Sequence, residues 1–174
     1  MRSPLDAYGT SSRVFGSFIW MQEKSSPVFV VATANDVSQL PPEMLRKGRW
    51  DELFFEDLPN QQEREAIWEI QIAKHGRDPK DFDVVQLGRV TDGLTGSEIE
   101  SVFIEALYLA FDSGSEAGEE KEPTDLDIAR VLTEFVPLSK LMAEQIGGLR
   151  NWAKGRARLA TSRQSERKIR KIAV

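Results

Sequence analysis

The chain has 174 residues, of which 40% are hydrophobic and 29% charged, the composition of a folded globular protein. It has no cysteine, which excludes disulfides and Cys-based zinc sites, and its one histidine excludes a multi-histidine site. We therefore expect no metal site in this chain. There is no run of about 18 apolar residues, so no membrane span is predicted.

The net charge of −5 is distributed unevenly. Residues 150–174 carry nine Lys or Arg against one acid, a net charge of +8, whereas residues 1–149 carry −13. This asymmetry favours a contact of residues 150–174 with the acidic part of the chain or with an anionic partner. The alternative is that residues 150–174 are a solvated terminus without such a contact. Nucleic-acid binding is the weakest of these readings, because no aromatic residue for base stacking follows Trp152.

The first part of the chain has the pattern of an α/β domain. A helix is predicted after Thr10 and ends before Pro27. Val28–Thr33 is apolar on both faces, which predicts a central strand of a parallel sheet covered by helices on both sides. A short helix is predicted from Pro41, and Trp50–Phe55 is a weaker strand prediction.

Only helices are predicted beyond residue 60. Capping residues mark the predicted helix starts: Asn60, Asp83, Thr124 and Ser139. The longest helix follows Gly96, and we expect a flexible acidic loop over Ser113–Pro123. That helix has an apolar stripe at helical spacing, formed by Ile99, Val102, Phe103, Ala106, Leu107, Ala110 and Phe111. The order is therefore an α/β piece followed by a helical bundle.

Three motif regions in this order carry the functional information. Val30–Asp36 and then Leu40–Asp51, with Leu45-Arg46-Lys47-Gly48-Arg49-Trp50-Asp51, resemble the second region of homology of AAA ATPases. Lys47 replaces the usual proline, and Trp50 replaces phenylalanine. Gly93–Ile99 resembles the Gly-x-Ser-Gly-Ala-Asp-Ile segment that opens the long helix of the family's helical lid.

The last part of the sequence narrows this resemblance. It is similar to the uncharacterised AAA proteins of cyanobacteria and plastid genomes at Phe135–Ser139, Met142–Ile146 and Leu149–Arg158. The implied fold is the C-terminal part of a P-loop-type parallel α/β nucleotide-binding domain followed by a small all-α lid. Residues 1–75 would be the partial α/β subdomain, 76–150 the helical lid and 151–174 a basic tail.

The resemblance implies roles for five residues. Asn35 would be the sensor that positions the attacking water, although it could instead cap the following turn. Arg46 and Arg49 would be arginine fingers that reach a neighbouring subunit's nucleotide, and the alternative is a pair of surface salt bridges. Gly96 and Ser97 would border the adenosine, which is compatible with an ordinary first helical turn.

Other parts of the family's site are missing from this sequence. It contains neither Gly-x-x-x-x-Gly-Lys-Ser/Thr nor an apolar strand ending in the acidic pair that holds magnesium. The resemblance implies ATP and Mg²⁺ for a complete family member, and we expect this chain alone neither to bind them tightly nor to hydrolyse ATP.

The expected partners are copies of this chain or full-length AAA subunits in a ring, most simply a hexamer, in the cytoplasm or plastid stroma. Three interpretations of function stay open beside nucleic-acid binding. The chain is part of an ATPase that remodels proteins, a non-enzymatic regulatory module, or a gene remnant.

Overall fold

The computed structural model describes residues 27–35, 37, 40, 45, 50–117 and 121–160, without the side chains of 115–117. The chain forms two compact units, Met1–Asn35 and Asp36–Val174. In the described part, no helix has the length and hydropathy needed to cross a membrane.

The described residues of the first unit contain no strand. Residues 27–34 have no regular secondary structure, and Asn35 lies in a bend. Phe29 is 93% exposed and Val31 is 74% exposed. The prediction of a buried strand over Val28–Thr33 is therefore wrong for this structure. Such a strand needs hydrogen-bonded neighbours and covering helices, and none pairs with it among the described residues.

The second unit is mainly helical. Its described elements are, in chain order, β1 (Phe54–Phe55), α1 (Gln61–Lys74), a 3₁₀ turn (Pro79–Asp81), α2 (Val84–Val90), α3 (Gly96–Ala117), α4 (Asp125–Glu134), α5 (Leu138–Leu141), α6 (Ala143–Ala153) and β2 (Arg158–Leu159). The helices α1 to α4 pack around one core and are together called the lid below, and the segment after them returns to β1.

The two strands pair in parallel, with Phe54 opposite Arg158 and Phe55 opposite Leu159. The N–H of Arg158 donates to the carbonyl of Leu53, and the two atoms are 2.9 Å apart. Parallel strands need a long crossover, and the helices α1 to α6 supply it here. The predicted strand over Trp50–Phe55 is present in shortened form, and its partner begins within the residues interpreted as a basic tail.

Side-chain caps begin the lid helices where the sequence predicts them. The Glu63 N–H donates to Asn60 Oδ1 (3.1 Å), and Glu63 Oε2 accepts from the Asn60 N–H (2.9 Å). Thr124 and Asp127 form a second capping box at α4. Asp83 Oδ1 accepts from a backbone N–H in the first turn of α2. These caps satisfy N–H groups that have no partner within the helix.

The core of the lid surrounds Phe103 of α3, which is fully buried. The rings of Trp68 and Phe82 pack edge-on against it, with centroids 6.3 and 5.8 Å away. The predicted stripe of α3 is confirmed at its buried members, which are Ile99, Val102, Phe103, Ala106 and Ala110. Phe111 is an exception, since 66% of its surface is exposed.

Two boundaries differ from the sequence predictions. The loop expected over Ser113–Pro123 begins later, because α3 continues to Ala117. The helix expected from Ser139 is divided into α5 and α6 at Met142, and it begins after Pro137. Pro137 is the N-cap of α5, and its φ of −61° with a ψ of 140° is an extended conformation that the fixed φ of proline allows. The break itself has no sequence signal, since methionine is a good helix former.

Candidate functional site

The first turn of α3 is held by a reciprocal set of hydrogen bonds between Thr95 and Glu98. Glu98 Oε2 accepts from the Thr95 N–H (2.7 Å) and from the Thr95 hydroxyl (2.8 Å). The Glu98 N–H in turn donates to Thr95 Oγ1 (3.3 Å). Gly93 precedes this turn, and its φ of +83° lies in the left-handed region that favours glycine. The backbone at the start of α3 is therefore preorganised.

Glu98 also ties this turn to α5. Its Oε1 accepts from the Leu138 N–H at 2.6 Å. Burial raises the pKa of Glu98, but the hydrogen bonds from Leu138 and Thr95 together outweigh burial, so the pKa lies below its ordinary value. The carboxylate is the form that the fold stabilises.

We expect the stability conferred by Glu98 to be present at neutral pH and to be lost as the pH falls. The sign follows from the lowered pKa in the folded state, because protonation then costs more in the folded chain than in the unfolded chain. The advantage of the wild type over Glu98→Gln in urea unfolding should therefore shrink as the pH falls below the usual range for glutamate. Glu105→Gln, at an exposed position of α3, is the control. Equal acid dependence of both variants would contradict the assignment.

Gly96 and Ser97 lie side by side in this capped turn. Ser97 is exposed, and its Oγ lies 3.2 Å from Thr95 Oγ1. A Cβ at Gly96 would lie 3.7 Å from Cδ1 of Ile67, which is an ordinary contact distance. Packing among the described residues therefore leaves room for a side chain at Gly96.

A polar group that sequence reasoning missed lies on the same face of α1. Gln71 follows Ile67 by one helical turn. Further along α1, Lys74 Nζ donates a hydrogen bond of 2.5 Å to Glu100 Oε1 on α3. Gln71 Oε1 is buried and has no hydrogen-bond partner among the described residues. Such an atom is costly unless something donates to it. The sequence gives no signal for this group, because its burial without a partner is visible only in the structure.

The structure groups only some of the predicted site residues. Gly96 and Ser97 are adjacent at the start of α3, whereas Asn35 is exposed in the other unit. Arg46 and Arg49 lie outside the described residues. Among the residues that the structure describes, no group of three His, Asp or Glu side chains could hold a metal ion.

No family model matches this chain. It is, however, 48% identical over 156 residues to an uncharacterized AAA domain-containing protein, ycf46, of Pyropia yezoensis. That match covers 88% of this chain and 30% of the relative. The chain thus spans about a third of the length of the curated relatives it matches.

Two solved structures have a similar fold. One concerns the self-assembly of katanin, with a TM-score of 0.63 and 17% identity over 86% of this chain and 55% of that one. The other is the FIGL-1 AAA domain in complex with ADP, with a TM-score of 0.56 and 16% identity over 70% of this chain and 42% of that one. The chain belongs to the AAA family, and it has the C-terminal α/β and helical-lid region of an AAA ATPase.

Proposed function

We propose that this chain is the part of a protein-remodelling AAA ATPase that supplies the lid, the sensor and trans-acting arginine fingers. The observation that carries the proposal is the preorganised first turn of α3, where Gly96 lies beside Ile67 of α1. One helical turn after Ile67, α1 carries Gln71, whose buried Oε1 has no hydrogen-bond partner among the described residues. The ADP complex of the similar FIGL-1 domain supports a nucleotide as the ligand. The self-assembly of katanin supports an oligomer as the active form, and we propose that this oligomer is a ring.

The residues of this turn fit the adenosine part of a nucleotide. The N–H groups of Gly96 and Ser97 lie in the first turn of α3, where amides have no partner within the helix. Ile67 offers an apolar surface to a base, and Gln71 Oε1 can accept a hydrogen bond from an exocyclic amine. This chain would thus border the adenosine, while the phosphates need residues from elsewhere.

The phosphates and Mg²⁺ have no fitting site among the described residues. The sequence has no phosphate loop, and the described residues have no acidic group able to hold a metal ion. No chemical step is therefore assigned to a nucleotide held by this chain alone. Binding and hydrolysis of ATP would need a complete family member in the same ring.

Arg46 and Arg49 are proposed to act on that partner's nucleotide. A guanidinium is planar, always charged and able to donate two hydrogen bonds to a phosphate. Supplied by a neighbouring subunit, it stabilises the charge that develops on the transferred phosphoryl group, which can change the rate by about 10³ to 10⁵. Asn35 is proposed to orient the attacking water with its neutral amide.

The experiment is an ATPase assay of a complete family member with and without this chain. We expect no hydrolysis by the chain alone and an altered rate in the mixture. The double variant Arg46→Ala and Arg49→Ala should abolish that alteration, because the fingers act in trans. Arg89→Ala is the matched control, since Arg89 is an exposed cation of α2 with no ion pair in the described part. Robust hydrolysis by the chain alone would overturn the proposal.

A non-enzymatic interaction module is the second candidate. It is favoured by the exposure of Phe29 and Val31, which form an apolar surface without a covering layer among the described residues. In this form the chain inserts into rings of full-length subunits and modulates them through its arginines. It predicts co-purification with an intact ATPase and no nucleotide affinity of the chain itself. Relatives encoded in plastid genomes support the plastid stroma as the location of either form.

A further inference from the structure

Five residues, 56–60, called the link below, connect β1 to the lid. A connection this short, with no helix or strand of its own, can act as a hinge because few dihedral angles need to change. A second connection runs from the lid back to β1 through α6 and β2. We infer that residues 143–160, called the strap below, hold the lid at one angle to β1 and release it when their contacts with β1 and the link open.

The strap is joined to the link by a two-point ion pair. Arg150 Nε lies 2.9 Å from Oδ1 and 3.0 Å from Oδ2 of Asp57, and Arg150 Nη2 lies 2.8 Å from Oδ1. The hydrogen bond to Asp57 raises the pKa of Arg150, against the opposing effect of burial. Pairs of this fork geometry are among the stronger charge-assisted hydrogen bonds. They fix direction as well as distance.

The end of the strap continues this contact along β1. The N–H groups of Arg158 and Ala160 donate to the carbonyls of Leu53 and Phe55, both at 2.9 Å. Arg158 Nη1 also lies 3.3 Å from Glu52 Oε1. Three kinds of contact therefore join the strap to β1 and the link: a side-chain fork, a strand pairing and an exposed ion pair.

At its other end, the strap is connected to the lid through α5. The Leu138 N–H donates to Glu98 Oε1, which anchors the start of α5 on the first turn of α3. Between these anchor points, α6 is largely exposed, and Ala153 is its only buried residue in the described part. The strap is thus fastened at its ends and only lightly along its length.

This distribution predicts which contacts open first. The lid core consists of fully buried side chains such as Trp68, Ile72 and Phe103, whereas the Arg150 side chain is 46% exposed. Regions with few buried apolar contacts open at lower free energy than a packed core. The strap can therefore release from β1 while the lid stays folded, and the lid then turns about the link.

Hydrogen exchange on the full chain without nucleotide tests this separation, and its outcome does not depend on the proposed function. In Arg150→Ala we expect the amides of Arg158 and Ala160 to exchange roughly three to ten times faster than in the wild type. The amides of Ile72 and Phe103 should keep their rates. An unchanged rate in β2, or an equal acceleration in the lid core, would overturn the inference.

Two matched variants show whether the two-point ion pair between Arg150 and Asp57 slows the exchange of the β2 amides. Lys154→Ala removes another exposed cation at the end of α6, whose Nζ contacts only Asn151 Oδ1 within the described residues, and it should leave the exchange of β2 unchanged. Arg150→Lys keeps the charge but loses the two-point geometry, so its exchange should be intermediate. If Lys154→Ala accelerates exchange as much as Arg150→Ala, net charge and not the fork holds the strap.

A distance measurement tests the change of lid angle directly. Because the sequence has no cysteine, spin labels can be attached at Glu56→Cys, beside β1, and at Glu105→Cys on the exposed face of α3. The distance distribution should broaden at least about twofold when Arg150→Ala is added. A distribution of unchanged width would mean that the link alone fixes the lid, and the inference would fail.

Discussion

We expect Phe103→Ala to lower the free energy of unfolding by about 3–5 kcal/mol. Phe103 is fully buried, and the rings of Trp68, Phe82 and His75 surround it with centroids 5.8–6.3 Å away. Truncation removes the transfer free energy of the ring, and it leaves a cavity lined by rings that cannot all move inward. The edge-on geometry with Trp68 and Phe82 is lost as well.

The matched control is Phe111→Ala on the same helix. Phe111 is 66% exposed, so its truncation should change the free energy of unfolding by no more than about 0.5 kcal/mol. Urea unfolding followed by tryptophan fluorescence measures both variants, because Trp68 reports on the core beside Phe103. Similar losses in the two variants would show that the lid core extends further along α3 than the structure places it.

These two phenylalanines also show how far the sequence pattern reaches. Both belong to one apolar stripe at helical spacing, so periodicity alone predicts that both are buried. Burial depends on what covers the helix, and α3 has 22 residues whereas α4, which packs against it, has 10. The apolar stripe therefore correctly predicted the helix and its core-facing side. It could not predict where along α3 the packing of α4 ends.

Local chemistry made the helix starts predictable. The caps at Asn60 and Thr124 each depend on a residue three positions further on, Glu63 and Asp127, so a short stretch of sequence contains the whole motif. The first turn of α3 is the same kind of local motif. The sequence placed Gly96 and Ser97 at the start of this helix, but its cap, formed by Thr95 and Glu98, was not predicted.

Non-local contacts were beyond reach of the same reasoning. The Asp57–Arg150 fork joins residues 93 positions apart. The pairing of β1 with β2 spans a still longer separation, and neither contact has a local signature. Gln71 was missed because an amide on a helix is commonplace until its surroundings show that Oε1 is buried without a partner. The strand predicted over Val28–Thr33 is the opposite case, because its local pattern is present but the strand is not. An apolar segment becomes a strand only where a neighbouring strand pairs with it.

Arg64→Ala is the second variant for which we expect a large loss, about 2–4 kcal/mol of the free energy of unfolding. Only 6% of the Arg64 side chain is exposed. Its Nε donates to the Gly88 carbonyl (2.9 Å), and its Nη1 donates to the Pro59 carbonyl (2.6 Å) and lies 3.0 Å from Asp92 Oδ1. One buried guanidinium thus holds the link, α1 and the end of α2 together.

The loss arises mainly from the partners that the guanidinium leaves behind. Gly88 is buried, so its carbonyl would lose the Arg64 hydrogen bond at a site shielded from water. Asp92 is 86% exposed, so its loss of a partner costs little. Arg64→Lys should be intermediate, because an ammonium cannot reproduce the fixed fork that serves two carbonyls at once.

Urea unfolding of Arg64→Ala beside Arg89→Ala separates burial from charge. Both variants remove one arginine from neighbouring helices, but Arg89 is exposed and has no ion pair in the described part. We expect Arg89→Ala to stay within about 0.5 kcal/mol of the wild type. If the two variants lose the same stability, the change in net charge explains both, and Arg64 is not the residue that joins the link to the lid. If only Arg64→Ala is destabilised, the hydrogen bonds of a single buried side chain fix the position from which the lid begins.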